Sequence, residues 1–416
     1  MERVTGWQGE VSAASVIRNH ASDLRGVTRL AFDATAGVTA LVEALHVEIA
    51  RLPTKLGGPI GEAAVNGVTW LVYRSIHGAT SAVGGGVDLL LAQLVPMLRH
   101  VESSPAREAA IAALNGVLGD HLAETGNPLA IAARLRSGGV PIELTREGLA
   151  AAFPAPSAKV VVLVHGLCMS DVQWTRRGHN HGTALARDLG YTPVHFHYNS
   201  GRHVSTNGRG LAGMLEALVA AWPVRVDELA IVAHSMGGLV ARSAHHYAGV
   251  AGHQWRSRLR RLVFLGTPHH GAALERGGHR LQRLFEQTPF TAPFARLGKI
   301  RSAGITDLRH GNLLDEDWHG RDRFADGEDA RRPLPLPERA ACYAVAATTG
   351  STANDLRGRL LGDGLVPLAS ALGRHRDPRL ALAFPESHQW IACRTGHFDL
   401  LDHPGVWRRI RAWLAD

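Results

Sequence analysis

One serine in this sequence stands where a nucleophile would have to stand. In LAIVAHSMGGLVAR, Leu229 to Arg242, a β-branched and apolar run meets Ser235, and small, helix-forming residues follow. A strand that turns abruptly into a helix at a serine holds the hydroxyl at the carboxyl end of a sheet on a strained backbone. So tight a turn needs small residues two before and two after the serine. Here they are Ala233 and Gly237, with Gly238 next. The usual form has glycine in the first of these places; alanine is the next smallest residue and fits with modest crowding. The alternative is a serine that only caps the helix.

A serine hydroxyl is a poor nucleophile until a base takes its proton, and a carboxylate must hold that base. The acid is expected after a later strand. GDGLVPLASALG follows the strand-like CYAVAATT and presents Asp363 between two glycines; Asp355 is the nearest rival. The base is expected after the last strand and before the final helix. There WIACRTGHFDLLDHPGVWRRIRAWL supplies His397 behind Gly396, whereas His403, beside Pro404, reads as a helix-opening residue. A tetrahedral oxyanion needs two N–H donors. Met236, after the serine, offers one, and Leu167, in the loop of VVVLVHGLCMSDVQW, offers the other. Trp174, Met169 and Leu167 are candidates to border the substrate. His165 is counted with them and is expected to shape the loop by hydrogen bonding. No base or acid arrangement points to Cys168. His179 and His181 read as surface or capping residues rather than ligands, and no metal site is expected.

These residues need a sheet to carry them. AKVVVLVHG, TPVHFHY, ELAIVAHS, LRRLVFLGTP, RAACYAVAATT and HQWIACRTGH are short apolar runs, most of them separated by helical patterns. That alternation predicts an α/β fold: a mostly parallel sheet with helices on both faces, over residues 146–416. LLDEDWHGRDRFADGEDARRPLPLPER is charged and then proline-rich, and reads as a long surface loop. Residues 1–145 have helical periodicity, broken at Gly84-Gly85-Gly86, with Ser104-Pro105 opening a further helix. This region is expected either to pack as a bundle or to act as a lid or interfacial element. Arg74, His77 and Asp88 interrupt its best candidate for a membrane span.

The formal charge is +8, almost all of it arginine, because Lys55, Lys159 and Lys299 are the lysines of the chain. The basic residues are scattered without aromatic interleaving, so no nucleic-acid partner is expected. Cys168, Cys342 and Cys393 are far apart and odd in number, which excludes a disulfide framework. The start, MERVTGWQGEVSAAS, has no secretory pattern. A cytoplasmic protein is expected, with peripheral contact to a lipid interface through the N-terminal helices.

VHGL, AHSMGG, GDGLVP and GHFDLLDHP, in this order and spacing, make residues 145–416 resemble the α/β-hydrolase superfamily. FLGTPHHGA, Phe264 to Ala272, is similar to the Gly-Thr-Pro-His-x-Gly stretch of bacterial esterase- and lipase-like hydrolases and GPI-inositol-deacylase-like proteins. The resemblance implies Ser235 as nucleophile, Asp363 as acid and His397 as base. It implies hydrolysis of a small-molecule or lipid carboxylic ester through an acyl-enzyme, without a cofactor. An acyltransferase using the same triad is one rival; a non-catalytic binding or scaffold protein is the other. RLQRLFEQTPFTAPFARLGKI, within the 274–300 region that is also a candidate to line the acyl pocket, reads as an amphipathic insertion, either a cap or a structural helix.

Overall fold

The computed structural model describes residues 25–26, 29, 105–272, 302–322, 329–352 and 362–415. It divides into two units, Met1–Ser104 with Glu124–Ala130, and Pro105–Ala123 with Ile131–Asp416. In the first unit the Asn127 side chain donates to the Gly26 carbonyl at 3.1 Å and accepts from the Leu129 N–H at 2.9 Å. The N-terminal helices before residue 105, the 274–300 insertion and Asp355 lie outside the described residues, apart from the few N-terminal positions named.

The second unit begins with α1 (Pro105–Glu124, its last residue assigned to the first unit), β1 (Arg134–Ser137), β2 (Val140–Pro141) and α2 (Arg146–Ala152). Then come β3 (Lys159–Val164), α3 (His181–Leu189), β4 (Thr192–His197), α4 (Val204–Ala221), β5 (Glu228–His234), α5 (Met236–Val250) and β6 (Leu259–Leu265). The chain closes with α6 (Ala303–Asp307), β7 (Ala341–Thr348), α7 (Leu368–Ala371), β8 (Gln389–Cys393) and α8 (Pro404–Ala415). The sheet runs β2-β1-β4-β3-β5-β6-β7-β8. β1 is antiparallel to both its neighbours, and β3 to β8 are parallel.

The six apolar runs of the sequence are β3 to β8, and the continuity of β3, β5 and β7 follows from burial on both faces. Val162, Val164, Ile231, Ala233, Leu262 and Phe264 point into a core that includes Leu211 and Leu215 of α4 and Leu239 and Val240 of α5. Val161, Leu163, Ala230, Val232, Val263 and Leu265 point into a second core with Leu185 of α3 and Ile410, Trp413 and Leu414 of α8. The strict alternation is the two-residue period of a strand read across two helical layers. Local chemistry sets several helix ends: Asn180 caps α3 by accepting from the Thr183 N–H, and Gly190 ends it in the left-handed conformation.

The two-unit division differs from the sequence boundary at 145/146. α1, β1 and β2 lie before that boundary, yet they belong to the unit that holds the sheet. Helical periodicity tells that one face is buried but not against what, and β1 and β2 are too short to announce themselves. Among the described residues, no helix is long and apolar enough to cross a membrane.

Candidate active site

Ser235 joins β5 to α5 at φ 55° and ψ −127°, and its side chain makes no capping hydrogen bond. A positive φ at a residue with a Cβ is strained. The turn is held because the Ser235 N–H donates to the Leu265 carbonyl at 2.8 Å. A Cβ on Gly237 would lie 2.4 Å from the Val164 oxygen and 2.5 Å from that of His165, and one on Gly238 would lie 2.0 Å from Thr267 Oγ1. Both glycines are therefore demanded by the approach of α5 to the sheet. Ala233 is fully buried in register with Val164 and Phe264.

His397 opens the 3-10 turn His397–Leu401 that follows β8. Its Nδ1 donates to Asp363 Oδ2 at 2.6 Å, and both side chains are buried. Asp363 Oδ1 accepts from the N–H groups of Leu365 at 3.0 Å and Val366 at 2.8 Å. The His397 N–H also donates to the Asp363 carbonyl, at 3.2 Å. With Nδ1 donating, Nε2 carries the lone pair that a general base needs. Ser235 and His397 share one cleft, lined by Leu167, Met169, His234, Pro268, Ala272, Leu308, Leu365, Val366 and Phe398. Among the described residues, neither a carboxylate nor a lysine or arginine lines it.

The loop after β3 runs beside the serine: a Cβ on Gly166 would lie 3.0 Å from Ser235 Cβ. Leu167 and Met169 belong to the cleft lining, and Cys168 between them has φ 59°. Met236 is the first residue of α5, so its N–H has no helical acceptor.

Residues 155–330 match the family described as PGAP1-like alpha/beta domain. The sheet-bearing unit is an α/β fold, an eight-stranded and mostly parallel sheet with a core on each face. No curated protein matches the chain. An esterase of Pyrococcus furiosus shares 15% identity over 62% of this chain and 81% of its own, with a TM-score of 0.37. An ester-hydrolase from the metagenome of Lake Arreo shares 12% identity over 62% and 73%, at 0.36. Phospholipase PlaB from Legionella pneumophila shares 17% over 51% and 44%, at 0.31.

Two of the named candidates are placed elsewhere in this fold. Trp174 is fully buried in the second core with Val161, Leu163 and Leu185 and does not line the cleft. An aromatic residue close to a motif in sequence carries no mark that separates pocket wall from core. His165 is also fully buried and outside the lining. Its Nδ1 donates to the Gly166 carbonyl at 2.9 Å, its Nε2 accepts from the Tyr198 N–H at 3.3 Å, and its ring stacks on Tyr198. Burial pushes its pKa down to about 3, so it holds the loop as a neutral ring. Burial pushes the Cys168 thiol up to about 12, which disfavours the thiolate that a nucleophile requires.

His179 and His181 bond to each other, Nε2 to Nδ1 at 2.9 Å, and His181 Nε2 donates to the Leu400 carbonyl at 3.0 Å. They brace the turn that carries His397. Glu108, Asp171 and His197 come together at ligand spacing. The cation there is Arg136, whose Nη1 lies 3.1 Å from Glu108 and 2.9 Å from Asp171.

Sequence reasoning missed Gly266, Arg331 and His234, of which Gly266 and His234 adjoin His397. A Cβ on Gly266 (φ 59°) would lie 3.1 Å from His397 Cε1, so only glycine lets the FLGTPHHGA turn pass that ring. Arg331, from the proline-rich loop, donates to the carbonyls of His269, at 2.7 Å, and His310, and to His270 Nδ1 at 2.8 Å, clamping the same turn. His234 is fully buried, and its Nε2 donates to the His397 carbonyl at 3.2 Å. Burial first, and the nearby His397 ring second, hold its pKa well below the ordinary value, so it serves as a neutral donor. Its signal was its place before the serine. His234→Phe keeps the ring and removes the donor. kcat is expected to fall about fivefold with little change in KM, as for a neutral hydrogen bond of about 1 kcal/mol. Steady-state kinetics decide it; an unchanged kcat would remove His234 from the positioning network.

Proposed function

We propose that this chain hydrolyses carboxylic esters through Ser235, His397 and Asp363. The observation that carries the reading is the buried 2.6 Å Asp363–His397 pair opening onto the same cleft as a serine held at a strand-to-helix elbow. In the reaction, His397 Nε2 takes the Ser235 proton as Oγ attacks the ester carbonyl. The N–H groups of Leu167 and Met236 receive the oxyanion. His397 then protonates the leaving alcohol, and an acyl-enzyme remains. Water, deprotonated by the same imidazole, attacks the acyl carbon and releases the acid.

Asp363 keeps the imidazole in the tautomer with Nδ1 protonated and stabilises the imidazolium. The aliphatic walls of Leu167, Met169, Leu308, Leu365 and Val366 suit an uncharged, apolar acyl group. An alkyl fluorophosphonate probe is expected to label the wild-type chain on one serine, located at Ser235 by peptide mass spectrometry. p-Nitrophenyl esters of increasing chain length are expected to be turned over and to compete with the label. Label at another residue, or none in an otherwise folded protein, would sink this reading. Product analysis with an added alcohol separates hydrolysis from transfer of the acyl group to an alcohol.

A further inference from the structure

Among the described residues α1 contributes none to the cleft lining, yet three segments rest on it, two of which lead to lining residues. The first is the loop after β3. A Cβ on Gly116 would lie 2.2 Å from Cys168 Sγ and 2.9 Å from both its Cα and its N. The second is the loop after β4. A Cβ on Gly119 would lie 1.8 Å from Asn199 Oδ1, and Asn199 Nδ2 donates to the Gly119 carbonyl at 2.8 Å. The third is the start of α6. Ser302 Oγ donates to the Gly116 carbonyl at 2.7 Å, and the Ala303 N–H to Asp120 Oδ2 at 2.9 Å. α6 leads directly to Leu308, which lines the cleft.

The first of these contacts bears on a backbone that cannot hold itself. Cys168 has φ 59°, which is strained at a non-glycine residue and persists only where its surroundings impose it. Two such surroundings are visible: the Cys168 N–H donates to Ser200 Oγ at 3.0 Å, and Gly116 presses on the Cys168 backbone and thiol. The N–H of Leu167 is one peptide away. We infer that α1 is a positioning helix for catalysis: Gly116, by its close approach to Cys168, fixes the backbone that aims the Leu167 N–H at the oxyanion. This rests on the ester-hydrolysis reading, in which that N–H is an oxyanion donor.

The test uses the full chain carrying Gly116→Ala, with active sites counted by fluorophosphonate label and folding checked by circular dichroism and Tm. The readouts are kcat and KM on a short p-nitrophenyl ester, and the inhibition constant of an alkyl trifluoromethyl ketone, whose serine adduct bears an oxyanion. Misaligning one of two oxyanion donors is expected to weaken the ketone and lower kcat per labelled site by about tenfold or more, since outright loss of a donor costs about 10²–10³. KM is expected to stay within about twofold. A helix with a merely structural role would lower Tm and leave kcat per labelled site and ketone affinity unchanged, and that result overturns the proposal.

If Gly116→Ala does not fold, Ser302→Ala removes the bond to the Gly116 carbonyl without adding bulk. It is expected to show the same pattern at about threefold, in proportion to one neutral hydrogen bond; no change in either constant overturns the proposal as well. A wild-type chain that neither turned over nor took the label would sink the ester reading and this inference with it. An active wild type with unaffected variants sinks this inference alone.

Discussion

Ser235→Ala and His397→Ala are each expected to lower kcat by roughly 10⁶-fold, and the double variant is expected to be no slower than either alone. The non-additivity is the informative part. Without a base the hydroxyl stays protonated, and without the hydroxyl the base has no proton to take, so either loss removes the whole covalent route. The rate that survives comes from the cleft and the two N–H donors, which both variants keep. Costs that multiply in the double variant would mean that the two residues act on separate steps, and the triad assignment would fall. Folding must be checked separately for the two. Ser235→Ala removes a hydroxyl that caps nothing, so its Tm should match the wild type. His397→Ala leaves Asp363 Oδ2 buried without its 2.6 Å partner, and is expected to lower stability by about 1–3 kcal/mol.

The loops that carry Ser235, Asp363 and His397 were legible because each is written locally. The elbow needs small residues at fixed offsets from Ser235, and Gly237 and Gly238 sit where a Cβ would meet the β3 backbone and Thr267. Asp363 stands between Gly362 (φ 55°) and Gly364 (φ 99°), a turn that only such neighbours allow cheaply. β3, β5 and β7 were legible because burial on both faces writes them as nearly unbroken apolar runs. What escaped was the partner of each element. α1 reads as a helix, but nothing in a helical pattern says that its Gly116 and Gly119 meet Cys168 and Asn199. Trp174 and Met169 lie close in sequence on the same loop and turn; one packs into the core and the other into the cleft. The bond from His234 to His397 spans 163 residues, beyond the reach of any local pattern.

Asp363→Asn tests the acid most sharply, because it changes one proton and almost no volume. The carboxylate uses Oδ1 to accept from Leu365 and Val366 and Oδ2 to accept from His397. An asparagine can keep its oxygen on the two amides, which holds the turn. Its NH₂ then faces His397 Nδ1, donor against donor. The imidazole resolves the conflict by moving its proton to Nε2, so that Nδ1 accepts and Nε2 can no longer take the Ser235 proton. kcat is expected to fall about 10⁴-fold, the size of loss that the wrong tautomer causes in serine hydrolases generally. KM and the affinity for the apolar acyl group are expected to change little, because Asp363 does not line the cleft. A second readout follows from the 2.6 Å bond: a low-field proton resonance from His397 Nδ1–H is expected in the wild type and absent in the variant. If Asp363→Asn kept more than about a tenth of the wild-type kcat, a carboxylate other than Asp363 would have to be orienting the base, since the tautomer argument demands far more.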